Sequence, residues 1–227
     1  MTSLASPRTA LIVHAHPEPL SFATAQMREA AGALVARGCE VTVVDLHEVG
    51  WDPVLARTQF PAAGERFKPQ AEQMAAVREG DLDPGVARQL DALLEADLLV
   101  LSFPLWWFSV PAILKGWLDR VLVMGAVFGG EHGLFDEAAL AGRRAVLLVT
   151  TGGSPDSFGR GSRFGDLEAL LFPLHHGTLR FVGYDVLEPV VTHGPAHLDD
   201  AARATALRDV RAAFDAIAAR RTLRLTT

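Results

Sequence analysis

The chain carries one cysteine and one tyrosine in 227 residues, and no apolar run long enough to cross a bilayer. A solitary Cys39 excludes a disulfide framework and a cysteine-rich metal site, since each needs several thiols. A membrane span takes roughly 18 uninterrupted apolar residues, so no spanning helix is expected. Basic charge is short as well: 21 Lys and Arg stand against 27 Asp and Glu, a formal net charge of −6. Nucleic acid and anionic lipid select basic surfaces, so neither is expected as the main partner. Neither the P-loop pattern nor the GxGxxG dinucleotide pattern occurs. There is no internal repeat and no low-complexity tract. Met1 to Arg8 is short and polar and lacks the apolar stretch of a secretion signal. It reads as a disordered or extended tail ahead of a single domain over residues 9–227, with a cytoplasmic location expected.

What remains is an apolar chain, 49% hydrophobic, with enough material for a sheet covered on both faces. Ala10-Leu-Ile-Val-His14 reads as a buried parallel strand opening into a polar loop. Ser21 is placed to cap a helix over 23–37, which Gly38 ends. Glu40–Asp45 is a second strand, completing one right-handed βαβ unit. Residues 50–85 are the least regular stretch, with Pro53, Pro61, Pro69 and Pro84, and read as a surface excursion holding one helical piece near 70–79. A helix over 86–95, a strand over 97–103, a helix over 111–123 and a strand over 144–150 follow. A helix from about 166, a fifth strand over 185–191 and a closing helix over 199–220 complete the chain. Strands alternating with helices give an α/β, doubly wound, five-stranded parallel sheet. Such sheets bind ligands beyond the carboxyl ends of their strands.

Three loops at that edge stand out. The first, His14-Ala-His-Pro-Glu-Pro-Leu-Ser-Phe22, leads into a helix start, where free N–H groups suit a phosphate. Alone it is a weak signal, and His16 reads equally well as an ordinary loop histidine. The second, Phe103-Pro-Leu-Trp-Trp-Phe-Ser-Val-Pro111, sets Trp106, Trp107 and Phe108 where a flat heteroaromatic ring would stack, or where a second subunit would dock. The third, Thr150-Thr-Gly-Gly-Ser154, lets main chain approach a flat ligand and leaves N–H groups free for developing negative charge. A bare turn is the plain reading of any Gly-Gly pair. Three such loops together point to a flat, phosphorylated cofactor.

These residues resemble the NAD(P)H:quinone oxidoreductase family of flavodoxin-like proteins. The resemblance is carried by 10–22, by Ala96 to Val121 with its Phe103-Pro-Leu-Trp-Trp-Phe-Ser-Val-Pro-Ala-Ile-Leu-Lys-Gly-Trp117 run, by Ala145–Ser154 and by Gly183-Tyr-Asp-Val-Leu-Glu-Pro189. It implies a flavodoxin-like sheet of order 2-1-3-4-5 and a homodimer with non-covalent FAD at its two-fold interface, FMN being the lesser expectation. NAD(P)H as co-substrate, a quinone-like acceptor and ping-pong chemistry are implied with it. His16, Ser21, Phe22 and Ala23 would lie on the pyrophosphate and adenylate side. Pro104, Leu105, Trp106, Trp107, Phe108, Thr150, Thr151, Gly152 and Gly153 would line the ring system, with Gly152, Gly153, Trp107 and Phe108 nearest the chemistry. Asp119 and Arg203 stand where the family has charged residues near adenosine. Phe128, Phe158, Phe164, Phe181 and His197 match substrate-pocket positions, some belonging to the partner subunit's site.

The departures matter. Many members carry a Tyr and a His after the Gly-Gly loop that settle charge on the flavin. Here Phe158 and Phe164 stand there, and neither donates a hydrogen bond. The donors left are the N–H groups of Gly152 and Gly153 and the side chains of Arg160, Ser162 or Arg163. An asparagine near the adenylate site is Ala23, and a pocket tyrosine is Phe128. One branch binds a structural metal through two histidines and a distant cysteine. His176 matches the first, Arg180 replaces the second, and no cysteine follows, so no such metal is expected. Other readings are an azo- or nitro-reductase, a flavin-binding regulatory subunit of a potassium-efflux system, or a flavodoxin-type electron carrier.

Overall fold

The computed structural model describes residues 6–225, so the expectation for residues 1–5 lies outside it. Residues 6–8 run into β1 (Thr9–His14), held by the Arg8 N–H, which donates to Asp97 Oδ2 at 2.8 Å. The other strands are β2 (Glu40–Asp45), β3 (Leu98–Pro104), β4 (Arg144–Thr151), β5 (Asp185–Val186) and β6 (Val190–His193). They form one parallel sheet in the order β2-β1-β3-β4-β5, and β6 also pairs with β4. The fold class and strand order expected from the sequence are therefore present.

The fifth position differs in detail, because the expected single strand over 185–191 is broken in two. Pro189 has no N–H to give a ladder. Across the break the chain pairs outward instead: Glu188 N–H donates to Arg221 O, and Leu223 N–H to Val186 O. The C-terminal segment thus covers part of this edge.

Helices cover both faces. On one side α1 (Phe22–Ala36) packs with α6 (Asp200–Asp215) over Ile12, Val100 and Leu148. On the other, α3 (Pro84–Glu95), α4 (Ala112–Val121) and α5 (Leu167–Leu174) lie over Leu11, Leu101 and Leu147. Alternate residues of fully apolar strands thus feed two separate cores, as a three-layer fold requires. The closing helix ends at Asp215, short of the expected 220, and a short 3₁₀ turn over Ile217–Ala219 follows it. Beyond α5 the chain widens into a π-helical stretch, His175–Arg180.

Residues 50–85 contain the helical piece expected near 70–79. It is α2 (Pro69–Glu79), and α3 already begins at Pro84, where Asp83 caps its first turn by accepting from Gly85 and Val86 N–H. Arg120, only 5% exposed, pins the excursion: it donates to Asp52 O at 2.5 Å, pairs with Asp83 at 3.6 Å and lies 4.6 Å over the Trp51 ring. Gly116 makes this approach possible, because a Cβ there would stand 2.1 Å from the Pro53 carbonyl oxygen.

Candidate functional site

The carboxyl ends of β1, β3 and β4 meet at one edge, as parallel register with β3 between the other two dictates. The loop after β1 is fixed by its own polar atoms. His16 Nδ1 accepts the Glu18 N–H at 3.0 Å, which leaves Nε2 of the neutral ring as the outward N–H. Ser21 caps α1 by accepting Thr24 N–H at 3.1 Å. The N–H groups of Phe22 and Ala23 have no acceptor among the described residues. Helix start, unpaired donors and imidazole N–H together make a cradle for an anion.

Beneath this loop lies a buried chain of polar groups that sequence reasoning missed. His14 is fully buried, with Nδ1 3.0 Å from Ser102 Oγ and Nε2 3.0 Å from Thr24 Oγ1. Thr24 in turn donates to Glu18 O at 3.1 Å and lies 2.9 Å from Ser21 Oγ. β3, β1 and the cap of α1 are thereby joined, and burial pushes the His14 pKa down to about 4. The only signal in the sequence was a polar residue closing an otherwise apolar strand.

After β3 the chain makes a two-residue turn. Trp106 and Ser109 exchange N–H···O bonds of 3.0 Å each, and Trp107 and Phe108 between them have φ of 52° and 57°. Such a turn normally takes Asn-Gly. Two aromatic residues in left-handed backbone cost about 1–2 kcal/mol each. The strain displays side chains: Trp107 is 97% exposed, and Trp106 and Phe108 are 44% exposed. Trp107 and Phe108 N–H have no partner among the described residues. Strain of this kind, with exposed apolar rings and unpaired donors, is characteristic of ligand sites.

The loop after β4 adds a second pair of donors. Thr151 donates to Gly153 O at 2.9 Å, and Gly152 and Gly153 N–H are unpartnered among the described residues. Gly153 has no room for a side chain, because a Cβ would meet the Phe164 ring at 2.8 Å. The three loops touch: Leu105 N–H donates to Thr150 O at 2.8 Å, His16 stands 6.0 Å from Trp106, and Phe108 5.8 Å from Phe164. Phe158 packs between Phe164 and His193.

The expected site residues fall into two groups. His16, Ser21, Phe22, Ala23, Pro104 to Phe108, Thr150 to Gly153, Phe158 and Phe164 gather at the three-loop edge. His197 and Arg203 adjoin it, since Gly194 lies between Gly153 and His197, and Arg203 Nε donates to Pro195 O at 3.2 Å. Asp119, Phe128 and Phe181 are not brought there. They line a separate cavity of about 380 Å³ beside α4, where Asp119 accepts from Lys115 at 2.6 Å and the two rings meet edge-on at 5.4 Å. That cavity shares Lys115, Leu118 and Thr178 with a smaller one reaching Phe108. Within one chain Asp119 therefore lies beside α4, away from the three-loop edge. Arg180 is held in an ion pair with Asp136 at 2.5 Å. No cluster of metal-ligating side chains occurs among the described residues.

A sequence model of the flavodoxin-like fold matches residues 8–214. NAD(P)H dehydrogenase [quinone] 1 of the guinea pig Cavia porcellus is 40% identical over 197 residues, 86% of this chain and 71% of that protein. A solved Klebsiella pneumoniae protein, provisionally assigned as a quinone reductase, superposes with a TM-score of 0.91 at 32% identity, covering 96% of this chain and 88% of that one. General stress protein 14 of Treponema denticola, solved in complex with FMN, has a TM-score of 0.63 at 25% identity, covering 93% and 99%. The fold and its three-loop edge define a protein of the flavodoxin-like class. Within that class, the chain belongs to the NAD(P)H:quinone oxidoreductase family, enzymes that oxidise NAD(P)H.

Proposed function

We propose that this protein is an FAD-dependent NAD(P)H:quinone oxidoreductase working by ping-pong transfer of two electrons. The observation that carries the reading is the turn at Trp107 and Phe108, where backbone strain exposes a flat apolar platform beside four unpaired N–H groups. An isoalloxazine fits this platform, being planar, apolar on its faces and ringed by acceptors on one edge. Trp106, Trp107 and Phe108 would hold its face. Gly152 and Gly153 N–H would bind its polar edge. The α1 start with His16 Nε2–H would take the pyrophosphate. FAD is the cofactor the family resemblance implies, and the same anion site has the chemistry to take the single phosphate of FMN. When bound, the flavin supplies the hydride chemistry, accepting from NAD(P)H and giving to the quinone.

The chain's own residues do the rest. The aromatic wall excludes water, and the glycine N–H groups aim dipoles at the position where charge develops. Because Asp119, Phe128 and Phe181 lie beside α4, we assign them to the site of a partner subunit in a homodimer, with the groove toward Phe108 as the shared surface. Purified protein should be yellow and release FAD on denaturation, and either NADH or NADPH should bleach it anaerobically. Colourless protein that neither FAD nor FMN can reconstitute would remove the reading. FMN released in place of FAD would correct the cofactor and leave the activity.

A further inference from the structure

We propose that His193 balances charge at the Gly152–Gly153 loop, taking one proton for each hydride that arrives there. The inference rests on the flavin reading above and supplies what Phe158 and Phe164 cannot. His193 ends β6 and pairs with Thr151 in the sheet register, so the strand itself sets it beneath the loop. Its Nδ1 stands 3.1 Å from Thr151 Oγ1. Thr151 has one hydroxyl proton, and that proton goes to the Gly153 carbonyl at 2.9 Å. His193 must therefore donate from Nδ1, which fixes its tautomer and leaves a lone pair on Nε2. A continuous line thus runs from Nδ1–H through the threonine hydroxyl to the glycine loop. Gly194 N–H clamps the same junction by donating to Thr151 O at 2.8 Å. His193 acts through Thr151, and is a positioning residue in that sense.

Around the ring, Phe158 packs at 5.5 Å from the loop after β4. The loop after β4 carries Asp156, Arg160 and Arg163, and the segments flanking β6 carry Glu188, His197 and Asp199. None of them shifts the imidazole: only burial acts on it, holding its pKa below the ordinary value. Burial favours the neutral form of the resting ring, and no ion pair involves it among the described residues. Hydride brings two electrons and one proton, which adds one negative charge at the site. Nε2 then takes one proton from solvent, and the imidazolium acts on that charge through Thr151 and the Gly153 carbonyl it holds. A quinone becomes a hydroquinone by accepting the hydride and one further proton, so the second half-reaction returns His193 to neutrality.

His193→Asn tests this, because the Asn amide reproduces the Nδ1–H bond to Thr151 and does not titrate. With flavin content and melting temperature kept, proton uptake on anaerobic reduction, read with an indicator dye, should fall by up to one proton per flavin at neutral pH. Quinone turnover should fall roughly 10²-fold, and the acid limb of its pH profile should vanish. An uptake and a profile equal to wild type in flavin-loaded His193→Asn would overturn the proposal. Should that variant not fold, NMR titration of the wild-type imidazole decides: its pKa rises on reduction of the bound flavin, and an unchanged value overturns the proposal. Wild-type protein that binds no flavin would instead overturn the functional reading.

Discussion

Trp107 and Trp117 lie ten positions apart and are put to opposite uses. Trp117 is fully buried in α4, and its Nε1–H donates to Gln89 Oε1 at 3.1 Å. Trp107 is 97% exposed, on backbone that favours glycine. The helix pairs its buried indole N–H and packs so closely that Gly116 touches Pro53. The turn before it leaves donors unpaired and rings uncovered. In one short stretch, stability is gained in the helix and given up in the turn. A segment that departs from good packing in backbone, burial and hydrogen bonding at once is the place to look for a ligand.

The contrast can be broken or sharpened by substitution. Trp117→Ala should lose about 3–5 kcal/mol of stability in urea denaturation, whereas Trp107→Ala should stay within about 0.5 kcal/mol. Equal losses would erase the distinction.

The buried support of the edge should show in pH. An unfolded histidine titrates near 6.5, and folded His14 is held down to about 4. Its contribution is therefore complete above about pH 6.5 and falls away as pH drops toward 4, by about 3 kcal/mol in all. His175, also held down to about 4 by burial, adds a loss of the same sign. His14→Gln should flatten the acid slope by about half, and a slope unchanged by this substitution would place the sensitivity elsewhere.

Gly116→Ala drives a Cβ into Pro53 and should destabilise by about 1–3 kcal/mol, loosening the 50–85 excursion to proteolysis. Trp107→Gly relieves the strained turn and should raise the stability of flavin-free protein by up to about 1 kcal/mol, while flavin affinity drops at least roughly tenfold. A variant gaining stability and keeping affinity would show that the turn is not a ligand platform. The smallest effect is expected from Phe164→His, which should leave wild-type turnover within about threefold and partly restore it in His193→Asn.

Much of this was legible in the sequence. The alternation of strands and helices and the three loops follow from apolar runs ending in unusual residues at one edge, and the strand order from the family resemblance. The helix within the 50–85 excursion was legible, whereas its anchoring by Arg120 and Gly116, distant in the chain, was not. The break at Leu187–Pro189 depends on a C-terminal segment folding back, which no local pattern announces. His14 and His193 escaped notice for a related reason. Each is a strand-end residue whose meaning lies in a hydroxyl on a neighbouring strand or helix, Ser102 and Thr24 for one and Thr151 for the other. Asp119, Phe128 and Phe181 were placed by the resemblance at a site shared between subunits, and within one chain they lie together beside α4.

The central claim is that a flavin ring lies on the indoles of the turn after β3. Titration of flavin-free protein with FAD, followed by tryptophan emission, tests it most directly. The account predicts saturable quenching at one FAD per chain in wild type, and loss of most of that quenching in a Trp106→Phe, Trp107→Phe double variant that still binds FAD by ultrafiltration. Quenching of the same depth in both proteins, reported by Trp51 and Trp117 alone, would place the ring elsewhere.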